Sequence, residues 1–323
     1  MQQLITGVFI NLSRQDLAFD EQSPPSEEIV KTFSGAVLVV LLLEATSGLL
    51  SCFFMIFLLV KEFLKKNMMR YSWILIFLNV SNICYTCSLS IDSTINFLGL
   101  DLLHHTYLFC IISYMTMYSI TSSLWFSAVL CIFYFMNIMP SQPGVLTTLK
   151  RSIGVIVWWL IIMTEVVAIG GSFLTILMYI PQINQRNSSV ISSEMVEETS
   201  NQSLKFMTIV LILNSLPILI IMMTTIGSAW FLRIYSYHIQ KNLTGNTHVR
   251  DYRESIQTMI GLLILYTTVL LFVILLMLNV FPYMTLGYII CQIFLFSFAT
   301  VLSVLLIYGN PKLKEAAKQI FTL

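Results

Sequence analysis

VLLIYGNPKLKEAAKQI, residues 304–320, is the stretch whose reading decides the fold. An apolar run without charge ends at Asn310-Pro311, and Lys312, Lys314 and Lys318 follow at once. Pro311 suits the first turn of a new helix, where its missing N–H is not needed. Leu313, Ala316, Ala317 and Ile320 then recur at i, i+3, i+4 and i+7, one apolar stripe. An oily segment closed by a short basic amphipathic helix reads as the exit of a membrane span. The helix is expected to lie along the inner leaflet, with its lysines towards anionic headgroups.

Composition agrees. The chain has 323 residues, 57% hydrophobic and 10% charged, with mean hydropathy +0.84. An average soluble domain has about 25% charged residues, so this chain needs lipid as its solvent. A net charge of +1 gives no reason to expect a nucleic-acid partner. The apolar LITGVFINL (4–12) has no basic residue before it and an acidic tail after it, which is not the pattern of a cleavable signal.

Seven spans are predicted, roughly 32–60, 71–97, 106–135, 152–180, 206–232, 255–279 and 283–309. Each can supply the roughly 20 residues that a helix needs to cross the hydrocarbon, and a helix satisfies its own backbone in lipid. The fold class is therefore an all-α membrane protein. It comprises an extracellular tail (1–31), a seven-helix bundle (32–309) and a cytoplasmic amphipathic helix (310–323). One set of loops holds Lys61, Lys65, Lys66, Arg70, Lys150, Arg151, Arg233, Lys241, Arg250, Arg253, Lys312, Lys314 and Lys318. The other holds only Arg14, Lys31, Arg186 and Lys205. The positive-inside rule then places the C-terminus in the cytoplasm and the N-terminus outside, at the plasma membrane. Glycosylation sequons at Asn11, Asn187 and Asn201 fall on the predicted outside; those at Asn79 and Asn242 do not.

Seven helices, an outer N-terminus and a closing surface helix point to a G-protein-coupled receptor. The third span ends in FYFMN (133–137), without the acidic-Arg-aromatic triplet of the largest receptor class, and the sixth span carries no Pro. LWFSAVLCIFYFMNI (124–138) resembles the third span of the bitter taste receptor family (type 2 taste receptors), through Leu124, Trp125, Phe126, Phe133, Tyr134, Phe135 and Ile138. LSVLLIYGNPKLK (302–314) is similar to that family's seventh span and exit, through Ser303, Ile307, Asn310, Lys312, Leu313 and Lys314. His248 with Arg253 fits the start of its sixth span; Leu149-Lys150, Glu44, Gly48 and Pro217 fit elsewhere. Cys52, Asn82, Leu302 and Ile120 stand where the family carries Asn, Arg, His and Asn. With its longer N-terminal tail, the chain reads as a divergent member, such as a non-mammalian vertebrate would carry.

The resemblance implies a receptor for a small-molecule tastant that activates a gustducin or other inhibitory-class heterotrimeric G protein. Its alignment turns Thr116, Met117, Ile120 and Thr121 towards an outer pocket, with Asn214 and Gln292 across from them. That lining has no full charge and suits neutral amphipathic molecules. Tyr134, Phe135, Lys150, His238, His248, Arg253 and Asn310 are placed around the G-protein end. Glu44, an acid inside a span and so a functional candidate, reads either as a latch with Asn82 and Ser303 or as a packing residue bonded to backbone. Glu165 is read as structural. CYTC (84–87) lies within a span, where thiols are ordinary packing, and Cys110 is expected to be a free thiol. No arrangement points to catalysis, a metal or a cofactor. The alternatives are a vomeronasal type 1-like receptor and a small transporter; a transporter would carry an inverted repeat.

Overall fold

The computed structural model describes residues 27–64, 72–98, 106–138, 153–186, 193–240, 246–278, 280–282 and 285–321. The described residues form helices and no strand: α1 (Glu27–Leu64), α2 (Ser72–Leu98), α3 (Thr106–Ile138), α4 (Ile153–Arg186), α5 (Ser193–Gln240), α6 (Asn246–Met277), α7 (Leu286–Tyr308) and α8 (Pro311–Phe321). Seven of them, α1 to α7, are long and apolar enough to cross a membrane. The protein is an all-α, multi-pass membrane bundle closed by a short helix.

Two boundaries differ from the sequence reading. α1 begins at Glu27, inside the segment assigned to the tail. α5 begins at Ser193, well inside the expected loop 181–205, and α4 runs to Arg186. Hydropathy marks where a helix leaves the hydrocarbon, not where its hydrogen bonding stops. The helical run of α5 thus takes in Glu194, Glu197 and Glu198. At 1.5 Å per residue, the 48 residues of α5 extend about 72 Å, more than twice the hydrocarbon thickness.

The helices close a ring around α3, which packs against α2, α4, α5 and α6, while α7 packs against α1, α2 and α6. Gly48 of α1 faces Ala299 and Thr300, and Cys52 faces Ser303, so α1 and α7 run side by side in the same direction. The outer faces are apolar, as the core is. Trp159, Trp230 and Leu50 are 64%, 65% and 70% exposed on outer faces, where lipid would meet them. The buried polar residues among those described are neutral: Ser, Thr, Asn and Gln.

α8 adds one detail to the opening stretch. Leu313, Ala316 and Ala317 are buried, and the helix packs on α7 and α1. The apolar stripe is thus taken up by protein, while Glu315, Lys318 and Gln319 point away. Gly309 caps α7 and packs so closely on Thr258 of α6 that a Cβ there would collide with it. Lys314 Nζ sits 5.6 Å from the Tyr308 ring centroid.

Candidate ligand pocket and switch

The inward face of α3 carries Ser119, Ser123 and Ser127 at four-residue spacing, all buried. Small hydroxyls let neighbouring helices approach closely and bond across. Ser123 Oγ donates to Asn82 Oδ1 of α2 at 2.8 Å. Tyr266 Oη of α6 lies 2.9 Å from Ser123 Oγ and 2.7 Å from Ser127 Oγ. It also reaches the Ser123 carbonyl at 3.0 Å.

Counting protons gives this group a direction. Asn82 Oδ1 has none, so the Ser123 hydroxyl must donate to it. Ser123 then has no proton left for Tyr266, and Tyr266 donates, shared between the Ser123 hydroxyl and carbonyl. Ser127 in turn donates to Tyr266. The result is a one-way chain from Ser127 through Tyr266 and Ser123 to Asn82, joining α6, α3 and α2. Asn82 Nδ2 is buried and has no partner. Phe298 of α7 packs on the rings of Tyr266 and Tyr85, at 5.3 and 5.8 Å between centroids. Ser81 and Ser122 make a parallel link between α2 and α3 at 2.9 Å.

The level of Thr116 and Gln292 behaves differently. Thr116 lies seven residues before Ser123, about 10 Å of helix. Gln292 lies six residues before Phe298, about 9 Å. Both therefore stand at a similar height above the chain. Gln292 is buried; its Nε2 donates to Tyr288 Oη at 3.2 Å, and its Oε1 has no partner. Asn214, on the buried stripe of α5, donates through Nδ2 to the Val210 carbonyl at 2.7 Å, and its Oδ1 has no partner. Thr116 bonds back to the Ile112 carbonyl at 2.9 Å. Met117 and Thr121 are buried and Ile120 is half-buried.

The expected latch is not joined by hydrogen bonds. Glu44 is half-buried and bonds neither Asn82 nor Ser303. It lies eight residues, about 12 Å of helix, before Cys52, which is the α1 group that meets Ser303, at 3.5 Å. Asn82 is engaged by Ser123 instead. Ser123, Ser127 and Tyr266 were absent from the sequence reading of the site. The hydroxyl-rich SITSSLWFS (119–127) inside an apolar span is the signal that marks them.

At the C-terminal end of α3, Tyr134 is buried beside Phe133, and Phe135 packs on Phe231 and Gly227 of α5. Asn310 is buried, and its carbonyl accepts the Lys314 N–H at 2.9 Å. His248 and Arg253 lie in the first turns of α6 and His238 near the end of α5. Their side chains, and that of Asn201 on α5, lie outside the described residues, as do Lys150, Asn11 and Asn187. All six cysteines, Cys110 included, are free thiols.

Residues 29–323 match the family described as Taste receptor protein (TAS2R). Taste receptor type 2 member 39 of Macaca mulatta is 24% identical over 316 residues, covering 95% of this chain and 93% of that protein. The Homo sapiens protein of that name shows the same 24% over 316 residues, with the same coverage. That of Gorilla gorilla gorilla is 25% identical over 317 residues, again covering 95% and 93%. The resemblance drawn from the third and seventh spans and these matches converge on one family.

Proposed function

The chain belongs to the TAS2R taste receptor family, and on that footing we propose that it is a bitter taste receptor. It binds small, largely neutral amphipathic molecules between the outer halves of α3, α5 and α7, and it activates a gustducin-like, inhibitory-class G protein at its basic end. Thr116, Met117, Ile120 and Thr121 form the α3 wall of that pocket, facing Asn214 and Gln292. A pocket without full charge favours uncharged ligands, and the spare carbonyl oxygens of Gln292 and Asn214 favour ligands that bring hydrogen-bond donors.

The observation that carries the reading is the directional chain Ser127–Tyr266–Ser123–Asn82. It ties α6 to the core directly below the pocket. A ligand that draws α3 and α7 together above it changes the geometry on which the chain depends. Release of Tyr266 lets α6 swing at its far end, where Tyr134, Phe135, Lys150, His238, His248, Arg253 and Asn310 receive the G protein. A ligand shifts the equilibrium only by its differential affinity for the two states, and pocket and G protein are then coupled reciprocally.

The test is calcium imaging of cells expressing the chain with a gustducin-like G protein, screened against neutral bitter compounds. A saturable response that requires the G protein is expected. No response, together with substrate flux in liposomes lacking G protein, would replace the receptor by a transporter. Orientation is tested by glycan mapping in the intact membrane: glycans at Asn187 or Asn201 and none at Asn242. A glycan at Asn242 reverses the topology.

A further inference from the structure

Glu165 lies near the middle of the apolar window Gly154–Leu174 of α4. On one side of it Ile161, Thr164 and Ala168 are buried; on the other Ile162, Val166 and Ile169 are exposed on the face that meets lipid. Glu165 itself is half-buried, on the border between the two. Its carboxylate is held by one hydrogen bond, from Tyr118 Oη of α3 to Oε2 at 2.7 Å. The Tyr118 ring stacks on Tyr114, with centroids 6.3 Å apart and planes 7° apart.

A carboxylate at this depth needs more than one hydroxyl. The penalty for an acid at the bilayer centre is several times what one interhelical hydrogen bond returns. Among the described residues of the seven apolar windows, the one basic residue is Lys61, at the far end of α1. Glu44 and Asp92 are the other acids in these windows, and no hydrogen bond orients Glu44 as Tyr118 orients Glu165.

We propose that Glu165, Tyr118 and Tyr114 form a second ligand site, on the lipid-facing seam of α3 and α4, that takes a protonated hydrophobic amine from the bilayer. The ammonium pairs with the carboxylate that Tyr118 holds in place. The stacked tyrosine rings offer π-faces to the same cation, and the apolar tail lies along Ile162, Val166 and Ile169 in the acyl region. The outer pocket and this site differ in chemistry: the first is neutral and enclosed by helices, the second is anionic and reached through lipid. The proposal does not depend on the taste-receptor reading, because binding here requires no signalling.

The test uses the full chain in lipid nanodiscs and two photoreactive probes with one alkyl chain, a primary amine and its N-acetyl amide. Cross-linked peptides are located by mass spectrometry. The amine should label the segments around 114–118 and 162–169 at least tenfold more than the amide. Glu165→Gln should reduce amine labelling at least tenfold, and Glu165→Asp should retain most of it. Equal labelling by amine and amide in the unmodified chain would overturn the proposal and leave only an apolar groove. Undiminished labelling of Glu165→Gln would overturn it too. Should Glu165→Gln fail to reach the membrane folded, the amine-to-amide ratio in the unmodified chain decides alone.

Discussion

Two levels of α3 differ in what they leave open: below, N–H donors lack a partner (Asn82 Nδ2 and Trp125 Nε1); above, carbonyl acceptors do. At the level of Ser123 and Ser127, the hydroxyls, the Tyr266 phenol and the Asn82 carbonyl oxygen are used within the protein, across three helices. About two turns above Ser123, at the level of Thr116, Gln292 and Asn214 each keep a carbonyl oxygen with no partner. Buried polar groups in proteins are usually satisfied, so the contrast is informative. The lower level is built to hold helices in one arrangement. The upper level leaves acceptors unfilled, the condition under which a donor arriving from outside gains most.

The strongest challenge to this contrast is Tyr266→Phe. It removes the hydroxyl that both donates and accepts in the chain, at about 0.6 kcal/mol per link and at most about 1.7. Together these amount to about 1–2 kcal/mol, and 1.4 kcal/mol is tenfold in an equilibrium. Ligand-independent G-protein activation should rise about tenfold while the order of ligand potencies holds. A reordered ligand series with unchanged basal activity would mean that pocket and switch have been exchanged.

A pair of substitutions sharpens the same contrast through stability. Ser123→Ala strands Asn82 Oδ1 and should lower the thermal unfolding midpoint of the detergent-solubilised receptor, at a cost of about 1 kcal/mol. Gln292→Leu removes an acceptor that has no partner together with the Nε2–H bond to Tyr288 Oη, two effects of opposite sign, so the midpoint should move less than for Ser123→Ala while donor-bearing ligands lose about tenfold in potency. Equal drops in midpoint for the two variants would erase the distinction between the levels. The smallest effect is expected far from both. Lys314→Ala removes the contact with the Tyr308 ring, worth about 0.5–1 kcal/mol at an exposed site. It should shift the midpoint slightly and leave the ligand potency order intact.

Much of the molecule was legible from side-chain chemistry alone. Residues 304–320 announced the last span and the helix beyond it, because a charge-free run, a Pro at a helix start and an i, i+3, i+4, i+7 stripe are local patterns. The number of spans followed from hydropathy, since lipid imposes one requirement on every crossing segment. The ends of α1 and α5 were not legible, because backbone hydrogen bonding continues past the last apolar residue into polar sequence.

The site divides along the same line. The sequence by itself determined that the bundle interior carries few charges and that the acids within the spans are exceptional. Periodicity along one helix fixes a face and a depth. It does not fix which residue of another helix stands opposite. Only the tertiary structure decided that Asn82 meets Ser123 rather than Glu44, and that Tyr266 closes the chain. Only it decided that Tyr118 holds Glu165 at the edge of the lipid. A hydrogen bond depends on ångström-scale separation between atoms far apart in sequence, and that separation is set by how small residues such as Gly48 and Ser123 let whole helices approach.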